Sequence, residues 1–180
     1  NRYQWKLSVG GVETRKQNWT RWATHASYVT PYYNQSLGIG FYEYFLLCEY
    51  IGAKPVPVVN VGLACQYNTH EAVDLDSEEF QQYIQDSLDL IEFANSTDFE
   101  NSEWARLRRD MGHPEPFNME FLGIGNEQWE EEYNGVNNKF KERYARFESA
   151  IHEKYPEIKL INTASAFMKD TSNEAIWEDA

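Results

Sequence analysis

Three short apolar runs, separated by helix-like patterns, constrain the fold of this chain more than any other feature. Residues 56–61 are rich in valine, and the length of the run suits a strand that is buried on both faces. Two similar runs, "MEFLGIG" and "IKLINTAS", begin at Met119 and Ile158. Strands that are apolar on both faces are typical of parallel sheets covered by helices. The sequence therefore predicts an α/β fold.

Amphipathic patterns with a period near 3.6 residues separate the apolar runs. One helix is predicted over residues 41–51, because Gly52 can cap its C-terminus and Pro55 prevents its continuation. Three further helices are predicted: one that begins at Asp76, a short one over residues 104–110, and one over residues 140–155 that Pro156 ends. The alternation of helices and strands predicts parallel strands joined by right-handed crossovers.

The remaining segments show no sustained period. Residues 1–36 are predicted to be an irregular loop, and residues 95–118 are predicted to be irregular apart from the short helix. No internal repeat, low-complexity segment or flexible linker is present, so the chain is interpreted as one structural unit or a piece of one.

Polar residues stand where each predicted strand ends: Asn60, then Asn126 and Glu127, then Ser165. Ligands of parallel α/β folds bind beyond the carboxyl ends of the strands, so these residues are predicted to line one pocket. A glutamate held against apolar walls at such a place can stay protonated and act as a general acid. Asn126 is suited to bind a sugar hydroxyl, and Trp129 is suited to stack on a sugar. The alternative interpretation is that Glu127 is only the first acidic residue of a helix start.

Composition and charge argue against several classes of function. The chain has 29 acidic and 16 basic residues, and a net charge of −13 disfavours binding to nucleic acid or to anionic membranes. No apolar stretch is long enough for a transmembrane helix. The four histidines lack HExxH spacing, and the Gly-x-Gly pairs lack the third glycine of a dinucleotide-binding loop. No metal or cofactor site is predicted.

Four separated motifs occur in a characteristic order: "YQWKLSVGGVETR", "VVNVGLACQ", "LRRDMGHPEPFNMEFLGIGNEQW" and "AIHEKYPEIKLINTAS". Together they resemble the α-L-arabinofuranosidases of glycoside hydrolase family 51. The first motif is similar to that family's Trp-Lys-x-x-x-Gly-Pro-x-x-x-Arg loop, with Gly11 where proline is usual. The resemblance extends from residue 3 to residue 167, which is nearly the whole chain.

The resemblance implies a (β/α)8 catalytic barrel with an appended β-sandwich. It also implies retaining hydrolysis of terminal α-L-arabinofuranosyl residues of polysaccharides or oligosaccharides, without a cofactor. Glu127 matches the family's general acid/base, and Asn126 matches the amide that contacts the 2-hydroxyl of the sugar. Trp129 lies where the following loop approaches the substrate. Trp5 and Lys6 match the Trp-Lys pair of the family's Trp-Lys-x-x-x-Gly-Pro-x-x-x-Arg loop, which is called the signature loop. Trp5 and Asn60 complete the set of predicted substrate contacts.

Half of the catalytic pair is missing from the predicted site. A retaining glycosidase needs a second carboxylate, the nucleophile, about 5–5.5 Å from the acid/base. In this family that residue lies on the seventh barrel strand, whereas the three strands here match about strands three to five. The resemblance therefore places the nucleophile outside this chain.

The size of the chain also indicates an incomplete barrel. A closed (β/α)8 barrel typically needs about 250 residues, and three parallel strands alone leave unpaired edges. Residues 1–180 are interpreted as a partial (β/α)8 catalytic domain that is inactive in isolation. The flanking strands and a C-terminal β-sandwich are expected elsewhere in the parent protein, and the resemblance makes a homo-oligomer possible.

Two alternatives stay open at the level of sequence. A related retaining glycosidase with another sugar specificity would share the Asn-Glu pair, and activity on xylosides or glucosides would identify it. A non-catalytic carbohydrate-binding module would keep the pocket without the chemistry. The choice between arabinan, arabinoxylan and smaller substrates is left open, as is the choice between a cytoplasmic and a secreted location.

Overall fold

The fold was analysed in a computed structural model, which describes residues 3–16, 18–20, 33–63, 72–128, 132–133 and 136–163. In chain order the strands and helices are β1 (Asn18–Thr20), β2 (Tyr33–Gln35), α1 (Phe41–Ile51), β3 (Val58–Val59), α2 (Glu78–Asn95), α3 (Glu103–Asp110), β4 (Phe121–Ile124), β5 (Glu132–Tyr133), β6 (Val136–Asn137), α4 (Phe140–Lys154) and β7 (Lys159–Ile161). The predicted alternation is confirmed for β3, β4 and β7 and the helices that precede them, whereas the short strands β1, β2, β5 and β6 were not predicted.

A parallel sheet of three strands, in the order β3-β4-β7, forms the centre of the described fold. Val58 is paired with Gly123, and Leu122 with Leu160, so β4 is the middle strand. Middle strands are buried on both faces, which explains why Leu122 and Ile124 are fully buried. The prediction of a parallel α/β sheet is therefore confirmed.

Strand β3 is shorter than the predicted run of residues 56–61. Pro57 has no N–H to donate to a sheet ladder, although its carbonyl accepts a hydrogen bond from Gly123 at 2.9 Å. Beyond Val59, the side chain of Asn60 closes a turn by accepting hydrogen bonds from the following backbone. Proline and turn chemistry thus limit the strand at its two ends.

The helix predictions agree closely with the structure. Helix α1 covers the predicted residues, and Gly52 ends it in the left-handed conformation with a φ of 71°. Helix α2 begins two residues later than predicted, because Ser77 is its N-cap and accepts a hydrogen bond from the Phe80 N–H at 3.1 Å. Helix α3 is N-capped by Ser102 in the same way.

The prediction that residues 1–36 are irregular is wrong in part. Trp5–Ser8 and Val12–Thr14 form 3-10 turns, and β1 pairs with β2 in an antiparallel register. Elements of three or four residues are too short to produce a detectable hydrophobic period, which is why the pattern does not reveal them.

The core lies between the sheet and the helices that pack on it. Helix α2 contacts both α3 and α4, so its buried surface is wider than a single helical stripe. Phe80, Leu90, Ile91 and Phe93 are all fully buried. Among the described residues, no helix is long and apolar enough to cross a membrane.

Candidate active site

The site is built at the carboxyl end of β4, the middle strand. The Gly125 N–H donates to the Val59 carbonyl at 3.0 Å, which extends the ladder one residue past the strand. Gly125 then has a φ of 78°, and Glu127 has a φ of 59°. A positive φ is uncommon for a residue other than glycine. The chain therefore turns sharply off the strand and leaves the side chains of Asn126 and Glu127 exposed.

Asn60 occupies the corresponding place after β3. Its Oδ1 accepts hydrogen bonds from the Gly62 N–H at 2.8 Å and the Leu63 N–H at 3.2 Å. Asn60, Asn126 and Glu127 line one cavity of about 160 Å³, together with Val59 and other apolar residues. The structure thus brings the polar ends of the first two parallel strands together, as the sequence predicts.

Two residues of the predicted site fall in parts of the chain that the structure does not describe. Trp129, the predicted stacking surface, and Ser165, the predicted polar end of the third strand, both lie outside the described residues. Their predicted roles stay predictions.

Trp5 is placed in the core, with only 4% of its surface exposed. Its ring packs against Phe93 and Trp104, with ring centroids 5.6 Å and 5.0 Å away, and its Nε1 donates to the Asp86 carbonyl at 2.8 Å. These contacts attach the N-terminal segment to α2. The predicted contact between Trp5 and the substrate is not tested by them and stays a prediction.

Lys6 makes a second attachment between the same segment and α2. Its Nζ forms ion pairs with Asp86, at 2.7 Å, and with Asp89, and it lies over the ring of Trp104. Burial by itself lowers the pKa of Lys6, but the hydrogen bonds to the two carboxylates outweigh burial and raise that pKa above its ordinary value. The ammonium group is therefore held charged against the helix.

Gln128 is a site residue that sequence reasoning did not single out. Its side chain is 6% exposed, and its Oε1 accepts a hydrogen bond from the Asn126 N–H. A glutamine beside a strand end carries no distinctive signal in a single sequence, so only the folded turn reveals this contact.

Tyr3 is a second residue that the sequence analysis did not identify. It lines the cavity that contains Glu127, and its hydroxyl lies 2.7 Å from the Ser8 hydroxyl. Burial raises the pKa of the Tyr3 phenol, so this group is neutral at physiological pH. Tyr3 therefore adds an uncharged aromatic wall to the site.

Arg143 holds the backbone around the cavity. It is 3% exposed, its Nε donates to the Asn138 carbonyl at 2.7 Å, and its two terminal nitrogens donate to the carbonyls of Val61 and Val73. The start of α4 is thereby tied to the chain that follows β3. Within the described ranges, no group of three or more His, Cys, Asp or Glu side chains is arranged to hold a metal ion.

Comparison with known proteins identifies relatives of the whole described region. A family model described as "Alpha-L-arabinofuranosidase 1 domain" matches residues 1–180. The chain is 39% identical over 176 residues to an extracellular exo-alpha-L-arabinofuranosidase of Streptomyces chartreusis, a match that covers 98% of this chain and 19% of that protein. It is 31% identical over 179 residues to alpha-L-arabinofuranosidase 2 of Arabidopsis thaliana, covering 99% of this chain and 23% of the relative.

Solved structures show the same likeness. An arabinose-bound GH51 α-L-arabinofuranosidase matches with a TM-score of 0.74 and 27% identity, over 93% of this chain and 24% of that one. The α-L-arabinofuranosidase of Thermotoga maritima in an arabinose complex matches with a TM-score of 0.64 over 89% of this chain and 28% of its own; at 22% identity this likeness concerns the fold alone.

These comparisons establish both the family and the extent of the match. The chain spans between 19% and 28% of the length of these four relatives. Its mixed α/β fold with a small parallel sheet is like that of the solved neighbours. Because the family model matches all 180 residues, the chain belongs to the alpha-L-arabinofuranosidase 1 domain family, in agreement with its resemblance to glycoside hydrolase family 51.

Proposed function

We propose that the protein carrying this chain is a retaining α-L-arabinofuranosidase. In this proposal it removes terminal α-L-arabinofuranosyl residues from arabinan, arabinoxylan or smaller oligosaccharides, and it needs no metal or cofactor. Family membership supports the proposal. The single observation that carries it furthest is the placement of Asn126 and Glu127 beyond the middle parallel strand, in the same cavity as Asn60.

Glu127 is the general acid/base of the proposed mechanism. In the first step its carboxylic acid donates a proton to the leaving glycosidic oxygen while a second carboxylate attacks the anomeric carbon. In the second step the Glu127 carboxylate removes a proton from water, and the water oxygen displaces the enzyme carboxylate. Arabinose leaves with its original anomeric configuration, because each step inverts that centre once.

The exposure of Glu127 is compatible with an active site that another part of the parent protein completes. Two carboxyl groups of a retaining enzyme lie about 5–5.5 Å apart. The cavity beside Glu127 is open in the described part of the chain, and Asn126 is exposed at its rim. We infer that the nucleophile comes from another part of the parent protein and completes the cavity there.

The other predicted residues are assigned to substrate binding. Asn126 contacts the 2-hydroxyl of the sugar, and Trp129 supplies an aromatic surface. Asn60 holds the neighbouring strand end, since its Oδ1 already binds two backbone N–H groups. Trp5, whose ring is buried against α2, is assigned a contact with the substrate.

We infer that the chain is part of a (β/α)8 catalytic barrel and contributes about strands three to five. Two observations support this inference. Strands β3, β4 and β7 form one parallel sheet, and its outer strands β3 and β7 expose Val58 at 45% and Ile161 at 43%. Unpaired apolar edges of this kind are usually covered in native sheets. The remaining strands, a β-sandwich and a homo-oligomeric assembly are assigned to the parent protein.

Hydrolysis of an aryl α-L-arabinofuranoside by the full-length protein tests the function. Glu127→Ala is expected to lower turnover by about 10²–10⁴-fold, which is the usual contribution of an acid/base. With an activated leaving group the mutant still forms the glycosyl-enzyme, so added azide is expected to restore turnover and to yield the α-configured arabinofuranosyl azide. Glu120→Ala is the matched control, because Glu120 precedes the same strand and pairs with Lys54 at 2.7 Å.

Three results would contradict the proposal. Wild-type protein that is inert on arabinofuranosides but active on xylosides or glucosides would indicate a related glycosidase. Protein that binds arabinose oligosaccharides without hydrolysing them would indicate a carbohydrate-binding module. Unchanged activity of Glu127→Ala would remove Glu127 from the mechanism.

A further inference from the structure

The turn that carries Glu127 is conformationally unfavourable and needs a restraint. Gly125 and Glu127 both have positive φ values, of 78° and 59°, on either side of Asn126. A left-handed conformation is unfavourable for a residue with a side chain, and such conformations persist where the surrounding structure holds them. A mechanism that depends on where a carboxyl group lies requires this turn to adopt one conformation.

The side chain of Gln128 restrains the turn through a hydrogen bond to its backbone. It folds back so that its Oε1 accepts a hydrogen bond from the N–H of Asn126, the residue between the two left-handed positions. Since Gln128 is 6% exposed, water has little access to compete for this bond. This hydrogen bond therefore closes a ring that includes the backbone of Glu127.

The surroundings leave this side chain little freedom. A Cβ atom on Gly125 would lie 2.7 Å from the Gln128 Oε1 and 2.8 Å from the Phe140 ring. Gln128 thus occupies the space beside the missing side chain of Gly125, close to the first residue of α4. The absence of a side chain at Gly125 is what allows the amide oxygen to reach the turn.

We propose that Gln128 is the positioning residue of the acid/base, holding Glu127 in place through the hydrogen bond from the Asn126 N–H to its Oε1. The proposal rests on the proposed function for the role of Glu127. Because the Asn126 N–H donates to Oε1, the proposal attributes the positioning of Glu127 to that one acceptor oxygen. Gln128 does not need to touch the substrate.

Two substitutions in the full-length protein separate the acceptor from the volume of the side chain. Gln128→Met keeps the length of the side chain but removes the amide oxygen. Gln128→Glu retains an oxygen acceptor at the same position. Kinetics are compared at the pH optimum of each variant, because a second carboxyl group beside Glu127 changes the pH profile.

Gln128→Met is expected to lower kcat by about 10- to 100-fold on substrates with poor leaving groups, with KM changed less than about twofold. The loss is expected to be smaller on activated aryl substrates, where azide should restore turnover as it does for Glu127→Ala. Gln128→Glu is expected to recover most of the loss. Equal losses in the two variants, or a loss that is independent of the leaving group and insensitive to azide, would overturn the positioning role.

A second measurement does not depend on activity. Amide hydrogen exchange of Asn126 is expected to be about tenfold faster in Gln128→Met than in wild type, since the N–H loses its protein acceptor. Unchanged exchange at Asn126 would overturn the hydrogen bond itself. Impaired Glu127→Ala with unimpaired Gln128→Met would reject only the positioning role, whereas unimpaired Glu127→Ala would reject the proposed function.

Discussion

Adjacent glycines in the N-terminal loop have opposite backbone requirements. Gly10 has a φ of 84°, which a residue with a side chain rarely adopts. Gly11 has a φ of −60°, which is close to the value that the proline ring imposes. The backbone at Gly11 is therefore compatible with the proline that is usual at this position in the loop that the sequence resembles.

Gly11→Pro is expected to raise the free energy of unfolding by about 0.5–1 kcal/mol, because proline restricts the unfolded chain at a compatible φ. The three atoms nearest to the added Cβ belong to the carboxyl group of Glu13, an exposed side chain that can move away. Thermal unfolding of the full-length protein measures the change.

Gly10→Ala is the matched control for that substitution. The positive φ at Gly10 predicts a loss of about 1 kcal/mol, although nothing lies within 4 Å of the added Cβ. A lower melting temperature for Gly11→Pro, or an unchanged one for Gly10→Ala, would contradict the backbone argument.

At the level of secondary-structure elements, the start of α1 is held by an ion pair. Glu43, in the first turn, accepts a hydrogen bond from the Gly40 N–H at 2.8 Å. Its other oxygen lies 2.6 Å from the Arg15 Nη2. Arg15 also donates to the carbonyls of Gly10 and Leu37, so this guanidinium joins the signature loop to the helix.

This ion pair predicts acid sensitivity. Burial raises the pKa of Glu43, but the hydrogen bonds from Arg15 and Gly40 outweigh it and hold the pKa below its ordinary value of 4.5. A carboxyl group with a lowered pKa in the folded state contributes stability above its unfolded pKa. That contribution is lost as the pH falls from about 4.5 through the folded pKa.

Glu43→Gln is expected to lower the free energy of unfolding by about 1–2 kcal/mol at pH 7, and by progressively less as the pH falls below about 4.5. Melting temperatures of wild type and variant measured from pH 7 to pH 3 check this. Glu100→Gln, on an exposed residue, serves as the control. Parallel curves for wild type and Glu43→Gln would contradict the assignment.

At the level of the whole molecule, buried arginines join separate segments of backbone. Arg108 is fully buried and donates to four backbone carbonyls, which belong to Phe93, Ser96, His113 and Pro114. Arg143 donates in a similar way to three backbone carbonyls around the cavity. A guanidinium can satisfy several carbonyls at once because its donors form a planar fork.

Arg143→Lys is expected to lower the free energy of unfolding by about 2–4 kcal/mol, since an ammonium group cannot reach all the carbonyls and leaves buried acceptors unsatisfied. Arg146→Lys, on the same helix, is the control and is expected to cost less than about 1 kcal/mol, because Arg146 is partly exposed and pairs with exposed Asp76 and Glu142. Thermal unfolding compares the two. Equal effects would show that Arg143 is not a structural link.

Individual residues show how far the sequence could predict the site. Asn126 and Glu127 were identifiable because an apolar run ends in two polar residues, and that pattern survives in the fold. Gln128 and Arg143 were not identifiable, because their roles come from side-chain hydrogen bonds to backbone groups, which no periodicity encodes. The described contacts place the ring of Trp5 against Phe93 and Trp104, and the predicted contact of Trp5 with the substrate stays a prediction.

The sequence by itself determined the four helices, the three strands of the parallel sheet, the α/β class and the strand end that carries Glu127. These features follow from local rules, since hydrophobic period, capping residues and proline act over a few neighbouring positions. Only the tertiary structure decided that β4 lies between β3 and β7 and that Asn60 shares a cavity with Glu127. Strand order and cavity walls depend on pairing and packing between distant segments, and a local pattern carries no information about which distant partner a segment will meet.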